Sequence, residues 1–525
     1  MTRTTTAGTL TGAQLLVRLA LRRDRVLAPV WIGVLVLMSV ASAAATAGLY
    51  PDLAERTRVA DAVNASPAIV ALYGPILDPS SIGELAMSKM TVLYAVFAAV
   101  LFIVVVRRHT RVEEESGRTE LVGGTSVGRD APLAAAIMEA VLLAVVLGVL
   151  TALGNALGGL DPLGSVAFGA LWTGTGLVAA GIGAVAAQMS ASARTCSAFA
   201  AAVVGTLYVL RAAGDTGPQW LSWLSPFGWN TQVQAYGDTR WWLLLAYPAL
   251  AAGLVLVAQQ IRARRDLGSG LIAARPGPPV GSPRLGDAIG LAIRVHTTAI
   301  TLWSAAFAVL GVVFGMIAPG IDDIIRGSSM QGVLDKLGGY LIAAILSIVA
   351  VVASYFTMTV VSHTSHDETD GRTELVLATT TSRSRWFAAT ALVAFAGVTW
   401  LLVVTGVGLS VGYLAADGPD IGSLVLAALG WAPAVWVTGA LGALCFALGP
   451  RWTPVGWAWP AMFLTLEILG DLFDLPGWVT GLSPYQHVPA LPAEPWDWPA
   501  EIGLTALAAA LLAVAWWRFR ERDIG

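Results

Sequence analysis

Long apolar runs dominate this sequence and restrict what the chain can fold into. The chain has 525 residues, of which 56% are hydrophobic and only 12% are charged. A predominantly apolar run of about 18 or more residues is long enough to cross a bilayer as a helix. In lipid, every backbone amide must bond within the protein, so a spanning segment is either a helix or a strand of a closed barrel. The alternating pattern of barrel strands is absent, and we therefore predict an all-α polytopic membrane protein.

We predict about twelve spans, six in each half of the chain. They are Val26–Leu49, Met90–Val106, Ala131–Ala156, Leu163–Met189, Thr195–Leu210, Trp241–Ile261, Thr297–Ile317, Leu337–Val361, Trp386–Leu414, Ile421–Leu448, Trp452–Leu469 and Ile502–Trp517. Prolines and glycines follow the fifth and eleventh runs, which are the weakest of the set.

Arginine placement predicts the orientation. Groups of arginines precede the first span, separate the second span from the third, and follow the sixth span. Excess arginine marks the cytoplasmic side of a membrane, so we expect both termini in the cytoplasm of a bacterial cell, beneath its plasma membrane. Six crossings per half return the chain to its starting side. The halves would then be parallel, related by an axis along the membrane normal. Before the first span, Arg18, Arg22 and Arg25 share a helix face beside Leu15 and Leu19, which predicts an interfacial amphipathic helix.

A charged segment occurs twice, about half the chain apart. The first copy, His109–Val122, reads HTRVEEESGRTELV, and the second, His363–Val376, reads HTSHDETDGRTELV. Two weaker pairs keep the same order: WLSWLSPF at 220–227 with WVTGLSPY at 478–485, and RDLG at 265–268 with RDIG at 522–525. A Gly/Pro-rich stretch lies between the halves. We therefore predict a pseudo-dimer with a first half at 1–267, a cytoplasmic linker at 268–286 and a second half at 287–525.

Each charged segment joins the second and third spans of its half on the predicted cytoplasmic side. Acidic residues favour the start of a short helix there, and a leucine and a valine give that helix an apolar corner. A partner protein could bind this corner, while the alternative is a solvated turn between two helices. The residues predicted to contact a partner are His109, Glu113, Glu114, Gly117, Arg118, Thr119, Glu120, Leu121, His363, Glu368, Gly371, Arg372, Thr373, Glu374, Leu375 and Arg383.

The second copy resembles a known family signature. GRTELVLATTTSR, at Gly371–Arg383, is similar to the G-T-L-E-x-L-L-x-T-P-V-S-R motif of ABC-2-type transporter permeases, although Thr380 replaces the usual proline. In that family the motif forms a coupling helix that docks on an ATP-hydrolysing subunit. Two such halves in one chain resemble actinobacterial permeases of polyketide-antibiotic or multidrug exporters. The resemblance implies an ATP-driven exporter of a hydrophobic, drug-like compound.

ATP hydrolysis is not expected on this chain. A P-loop requires a lysine after its glycines, and the only lysines, Lys89 and Lys336, lack that context. We therefore predict a permease rather than an enzyme, with no catalytic residues and no cofactor of its own. ATP and Mg²⁺ would belong to a separate P-loop ATPase, with two copies per chain. Membrane lipids and a hydrophobic small molecule complete the expected partners, and nucleic acid is excluded.

Other polar residues bear on a possible metal site, an ion pair within the membrane and an outer gate. The acidic segment around His363 and His366 could bind a metal, but the first copy lacks the second histidine, and we predict no metal site. Glu139 lies in the third span and is expected to pair with an arginine. An outer gate or mouth is predicted from Pro226, Phe227, Glu467, Asp471, Pro484 and Tyr485.

Three alternatives remain open from the sequence. A proton-coupled secondary transporter with parallel 6+6 repeats would explain the duplication, although such carriers use membrane-embedded ionisable groups that are sparse here. An integral membrane enzyme acting on lipids would need a repeated catalytic constellation. A non-transporting immunity or sensor protein could use the same fold.

Overall fold

The computed structural model describes residues 8–50, 52–272, 280–326, 337–414, 421–472 and 476–523. Across these residues the secondary structure is helical, without a strand. Eleven of the described helical segments are long and apolar enough to cross a membrane. The prediction of an all-α polytopic membrane protein is therefore confirmed.

Contacts divide the chain into two compact units, residues 1–277 (unit 1) and 278–525 (unit 2). Unit 1 contains the helices α1 Ala13–Arg23, α2 Leu27–Leu49, α3 Leu53–Ala65, α4 Pro67–Tyr73, α5 Ile82–His109, α6 Arg111–Glu115, α7 Arg118–Gly123, α8 Ala131–Leu157, α9 Pro162–Met189, α10 Ala193–Thr216, α11 Trp220–Trp223, α12 Pro226–Gln232 and α13 Ala246–Ala263. A 3-10 turn at Trp241–Leu245 leads into α13. The division between the units falls inside the Gly/Pro-rich stretch at 268–286.

Unit 2 contains a second set of helices. They are α14 Ala288–Arg326, α15 Leu337–Thr369, α16 Arg372–Leu377, α17 Arg383–Leu414, α18 Ile421–Gly430, α19 Ala432–Leu448, α20 Thr453–Gly456, α21 Ala458–Leu472, α22 Gly477–Thr480 and α23 Trp498–Glu521, with 3-10 turns at Pro283–Gly286, Pro450–Trp452 and Pro484–His487. The second and fourth spans are the most buried in each unit: α5 and α9 in unit 1, and α15 and α18–α19 in unit 2.

The predicted eleventh span is interrupted in the structure. Pro454 lies in α20, which ends at Gly456, and the longer α21 begins at Ala458 with Pro460 in its first turn. Proline removes a backbone donor and crowds the preceding turn, so it is tolerated chiefly where a helix starts. With 15 residues, α21 is shorter than the roughly 20 that a crossing requires. The described residues therefore contain eleven candidate spans where the sequence predicted about twelve.

Close backbone contacts between glycines join the first and third spans of unit 2. Gly311 and Gly315 of α14 lie four residues apart, and so do Gly408 and Gly412 of α17. A Cβ at Gly408 would lie 2.8 Å from the Ala308 carbonyl oxygen, and one at Gly412 would lie 2.5 Å from that of Val312. Small residues at this spacing let two membrane helices approach closely where the hydrophobic effect cannot hold them together.

Replacing Gly408 by leucine should separate α14 from α17. We expect a loss of about 2 kcal/mol or more in the free energy of unfolding, because overpacking a tight contact shifts backbone and rotamers. The midpoint of thermal unfolding in detergent micelles measures this loss. Gly503→Leu is the matched control, since a Cβ at Gly503 meets nothing within 4 Å. Equal losses in the two variants would show that the α14–α17 contact does not hold unit 2 together.

Candidate functional site

The first charged segment forms a bent helical hairpin after the second span. Helix α5 ends at His109, and Thr110 leaves the helical region with φ −121° and ψ −84°. The short helix α6 follows, and Gly117 then takes φ +74° before α7 begins. Side chains other than glycine rarely adopt this left-handed conformation. A Cβ at Gly117 would meet nothing within 4 Å, so the backbone angle rather than space requires the glycine.

The second segment repeats this turn on a straighter helix. Helix α15 continues without a break past His363 to Thr369, whereas α5 is interrupted at the equivalent place. Gly371 then takes φ +72°, and a Cβ there would also meet nothing within 4 Å. The five residues RTELV that start α7 and α16 therefore follow the same glycine geometry in both units.

Each short helix presents an exposed leucine. Leu121 is 77% exposed and Leu375 is 73% exposed, and the neighbouring Glu120 and Glu374 are exposed as well. A single exposed leucine is ordinary on a protein surface. Here the same side chain is exposed at the same position of two equivalent helices, beside the same carboxylate, which is the arrangement expected of an apolar contact with a charged edge.

A buried ion pair fixes the first segment to the end of the sixth span. Arg265 donates to both carboxylate oxygens of Glu114, at 2.6 Å and 2.8 Å, and the backbone amide of Gly268 donates to the same carboxylate at 2.7 Å. The Glu114 and Arg265 side chains are each only 8% exposed. Parallel bonds from a guanidinium to a carboxylate fix orientation as well as distance. Arg111 also lies 3.3 Å from this carboxylate. Burial makes the charged pair less favourable and these bonds stabilise it, so removing Glu114 would leave two buried guanidinium groups without their carboxylate.

The second segment has the equivalent pair. Arg522 donates to Glu368 at 2.6 Å, and both side chains are at most 10% exposed. Glu368 occupies the place of Glu114 in the repeated segment, and Arg522 and Arg265 are the first residues of the RDIG and RDLG motifs. Two motifs that lie far apart in sequence are therefore in contact within each unit.

A second arginine makes the same contact in both units. Arg129 precedes α8 and donates to the Ala263 carbonyl at 3.5 Å, while Arg383 starts α17 and donates to the equivalent Arg520 carbonyl at 3.4 Å. Carbonyls at a helix end carry partial negative charge and favour a cation. Arg383 was predicted as a residue that contacts a partner, and the structure gives it a role in positioning the segment.

The ion pairs made by the remaining predicted residues differ between the two copies of the segment. Glu113 pairs with Arg23 of α1 at 2.8 Å and with Arg118 at 3.3 Å. In the second copy Arg372 pairs with Asp367 and Asp370, each at 2.8 Å, and the hydrogen bond to Asp367 raises the pKa of the Arg372 guanidinium.

The threonines at equivalent positions differ in burial, and the histidines at equivalent positions differ in their bonding partners. Thr373 is buried and Thr119 is half-buried. His109 bonds to Asp24 at 2.8 Å, whereas His363 bonds to Asp367 at 3.2 Å.

The residues predicted to form an outer gate are buried where the structure describes them. Phe227 packs in α12, and Asn230 of the same helix donates to the Thr91 carbonyl at 2.8 Å and accepts from the Tyr247 hydroxyl at 2.7 Å. In unit 2, Tyr485 is 1% exposed, and its hydroxyl bonds to Ser354 and to Thr438.

Pro226 and Pro484 begin these two buried turns. The side chains of Glu467 and Asp471 lie outside the described residues. The described members of the set thus hold α12 and the 3-10 turn at Pro484–His487 inside their own units.

One buried cluster around Glu139 was not predicted from the sequence. The prediction that Glu139 pairs with an arginine is wrong, because the Glu139 carboxylate lies 3.4 Å from Nε2 of His109. Asp24 joins the same group from the turn between α1 and α2. No local pattern relates these three residues, because only the packing of α2, α5 and α8 brings them together.

Loss of the Arg522 side chain should loosen the second segment. Arg522→Gln leaves Glu368 buried and unpaired, and we expect backbone amides of α16 to exchange with deuterium roughly tenfold faster or more, since breaking such a pair costs about 3 kcal/mol or more. Hydrogen exchange followed by mass spectrometry measures the change. The exposed Arg518 in the same helix end provides the control Arg518→Gln. Unchanged exchange in Arg522→Gln would show that the ion pair does not hold the segment.

Comparison with known proteins places the whole chain in one family. The family model described as the C-terminal domain of the multidrug efflux system permease Rv1217c matches residues 16–260 and 285–520. The multidrug efflux system permease protein Rv1217c of Mycobacterium tuberculosis is 37% identical over 526 aligned residues, which cover 98% of this chain and 95% of the relative. These matches extend through both units and both charged segments. The chain therefore belongs to the family of the multidrug efflux system permease Rv1217c.

Proposed function

We propose that this chain is the permease subunit of an ATP-driven exporter and that its two charged segments bind a separate P-loop ATPase. The observation that carries the proposal is the matched pair of exposed leucines, each on a glycine-led helix anchored by a buried Glu–Arg pair. A solvated turn needs neither the exposed apolar side chain nor the fixed anchor. The similarity of the second segment to the ABC-2 coupling helix supports the same assignment.

The proposed substrate is a hydrophobic, drug-like compound. The name of the relative from Mycobacterium tuberculosis refers to multidrug efflux, and the two proteins align over nearly their full lengths. ATP and Mg²⁺ would bind to the partner, because neither lysine of this chain lies in a phosphate-binding sequence. We propose two ATPase copies, one for each segment, and a cytoplasmic location for both segments and both termini.

In the proposed mechanism, the anchored segments transmit conformational changes of the ATPase to the membrane spans. A change in the ATPase shifts the permease only if the ATPase binds two permease conformations with different affinity. A movement of the ATPase would displace Leu121 and Leu375. The ion pairs Glu114–Arg265 and Glu368–Arg522 would pass this displacement to the last span of each unit. Glu120 and Glu374 are exposed and would contribute to recognition of a basic edge on the partner.

The double variant Leu121→Asp, Leu375→Asp tests the docking surface. We expect it to insert and fold normally but to lose roughly tenfold or more of its affinity for the ATPase, because central apolar anchors carry most of an interface's binding energy. Affinity-tagged chain is purified from membranes with its ATPase, and both the amount of bound ATPase and the stimulated ATP hydrolysis are measured.

Ser126→Asp, Thr380→Asp is the matched control. It adds the same two charges at exposed positions near α7 and α16 but keeps both leucines. Normal ATPase binding by the leucine variant would refute the docking assignment. Drug export that persists without any ATPase and stops with an uncoupler would favour the proton-coupled alternative.

A further inference from the structure

Three metal-ligating side chains from separate elements of unit 1 converge beside the start of the first segment. Asp24 lies in the turn between α1 and α2, His109 is the last residue of α5, and Glu139 lies in the third turn of α8. All three side chains are buried, at 1%, 7% and 0% exposure. One ligand atom from each lies within 4.8 Å of the others.

Two of the three distances between these atoms match the spacing of ligand atoms around a metal ion. Nε2 of His109 lies 2.8 Å from Oδ2 of Asp24 and 3.4 Å from Oε2 of Glu139. Ligand atoms bound to Zn²⁺ at about 2.0–2.2 Å are separated by roughly 3 Å at right angles and roughly 3.5 Å at the tetrahedral angle. Only a small outward movement of the Asp24 oxygen is needed to admit an ion.

Charge and hydrogen bonding also favour a cation here. Nη1 of Arg108 lies 3.1 Å from Oδ1 of Asp24, which leaves Oδ2 directed at His109. Neither carboxylate oxygen of Glu139 accepts a hydrogen bond from the residues that the structure describes. A buried carboxylate without hydrogen bonds is unfavourable unless a proton or a cation compensates it. Arg23, the other nearby cation, is paired with Glu113 instead.

Unit 2 has no carboxylate at the position equivalent to Glu139, and its counterpart of His109 has different partners. His363 occupies the place of His109 in the repeated segment, but it bonds to Asp367 one turn further along α15 and meets the His296 ring edge-on at 5.1 Å. Ten residues after Arg129 the chain has Glu139, whereas ten residues after Arg383 it has Val393. Unit 2 therefore provides an internal control for the site.

We propose that Asp24, His109 and Glu139 bind one divalent transition-metal ion of the zinc class. One imidazole and two carboxylates form a ligand set that Zn²⁺ accepts, with a further position open to water. The ion would connect the α1–α2 turn and the third span to His109, where α5 ends and the first segment begins. Its role is structural, and it does not depend on what α7 binds.

Zinc binding by the purified full-length chain tests the site. Protein in detergent is treated with EDTA, dialysed and titrated with Zn²⁺, and bound metal is counted by mass spectrometry of the elements. We expect one Zn²⁺ per chain for the wild type and for His363→Ala. Glu139→Gln, which keeps the shape of the side chain, and Asp24→Asn should each bind Zn²⁺ at least tenfold more weakly.

Thermal unfolding supplies a second readout. Because a ligand stabilises the state that binds it, Zn²⁺ should raise the unfolding midpoint of the wild type and of His363→Ala but not that of Glu139→Gln. A wild type that binds no Zn²⁺, or a Glu139→Gln variant that binds it equally well, would overturn the proposal. Either result leaves the leucine test of ATPase docking unaffected.

Discussion

The buried Glu–Arg pair is the interaction on which the arrangement of both charged segments depends. An exposed helix of six residues has little stability of its own, because nucleating a helical turn is unfavourable. Glu114 and Glu368 precede these helices and are held by arginines that follow the last span of the same unit. The short helices α7 and α16 therefore have a defined position although their own side chains are largely exposed. The same dependence explains why GRTELV and the RDLG or RDIG motif are duplicated together.

The two units share this anchor and differ around it. In unit 1, α5 breaks at Thr110, and both Glu113 and His109 reach the region of α1. In unit 2, α15 continues straight to Thr369, and His363 and Arg372 bond to acids of the same segment. The first segment thus makes more of its polar contacts to other helices, and the second makes more of them within itself.

Local sequence was sufficient to predict the fold class and the position of most spans, because hydropathy acts over short stretches. The RTELV stretch occurs twice, and each copy begins a short helix after a glycine of positive φ. The sequence did not reveal that Pro454 and Pro460 would divide the eleventh apolar run. It also did not reveal that Glu114 bonds to Arg265 inside unit 1 or that Arg383 bonds to the Arg522 carbonyl inside unit 2. The grouping of Asp24 with Glu139 depends on tertiary packing, which no periodicity encodes.

The sequence separation of the anchor has a consequence for how the chain is made. Glu114 and Arg265 are 151 residues apart, and Glu368 and Arg522 are 154 apart. At roughly 5–20 residues per second, a ribosome needs about 8–30 s to travel from the glutamate to its arginine. During that interval each segment has left the ribosome without its ion pair, and it acquires the pair only when the last helix of its half has been synthesised. Translation therefore completes the Glu114–Arg265 pair before the Glu368–Arg522 pair.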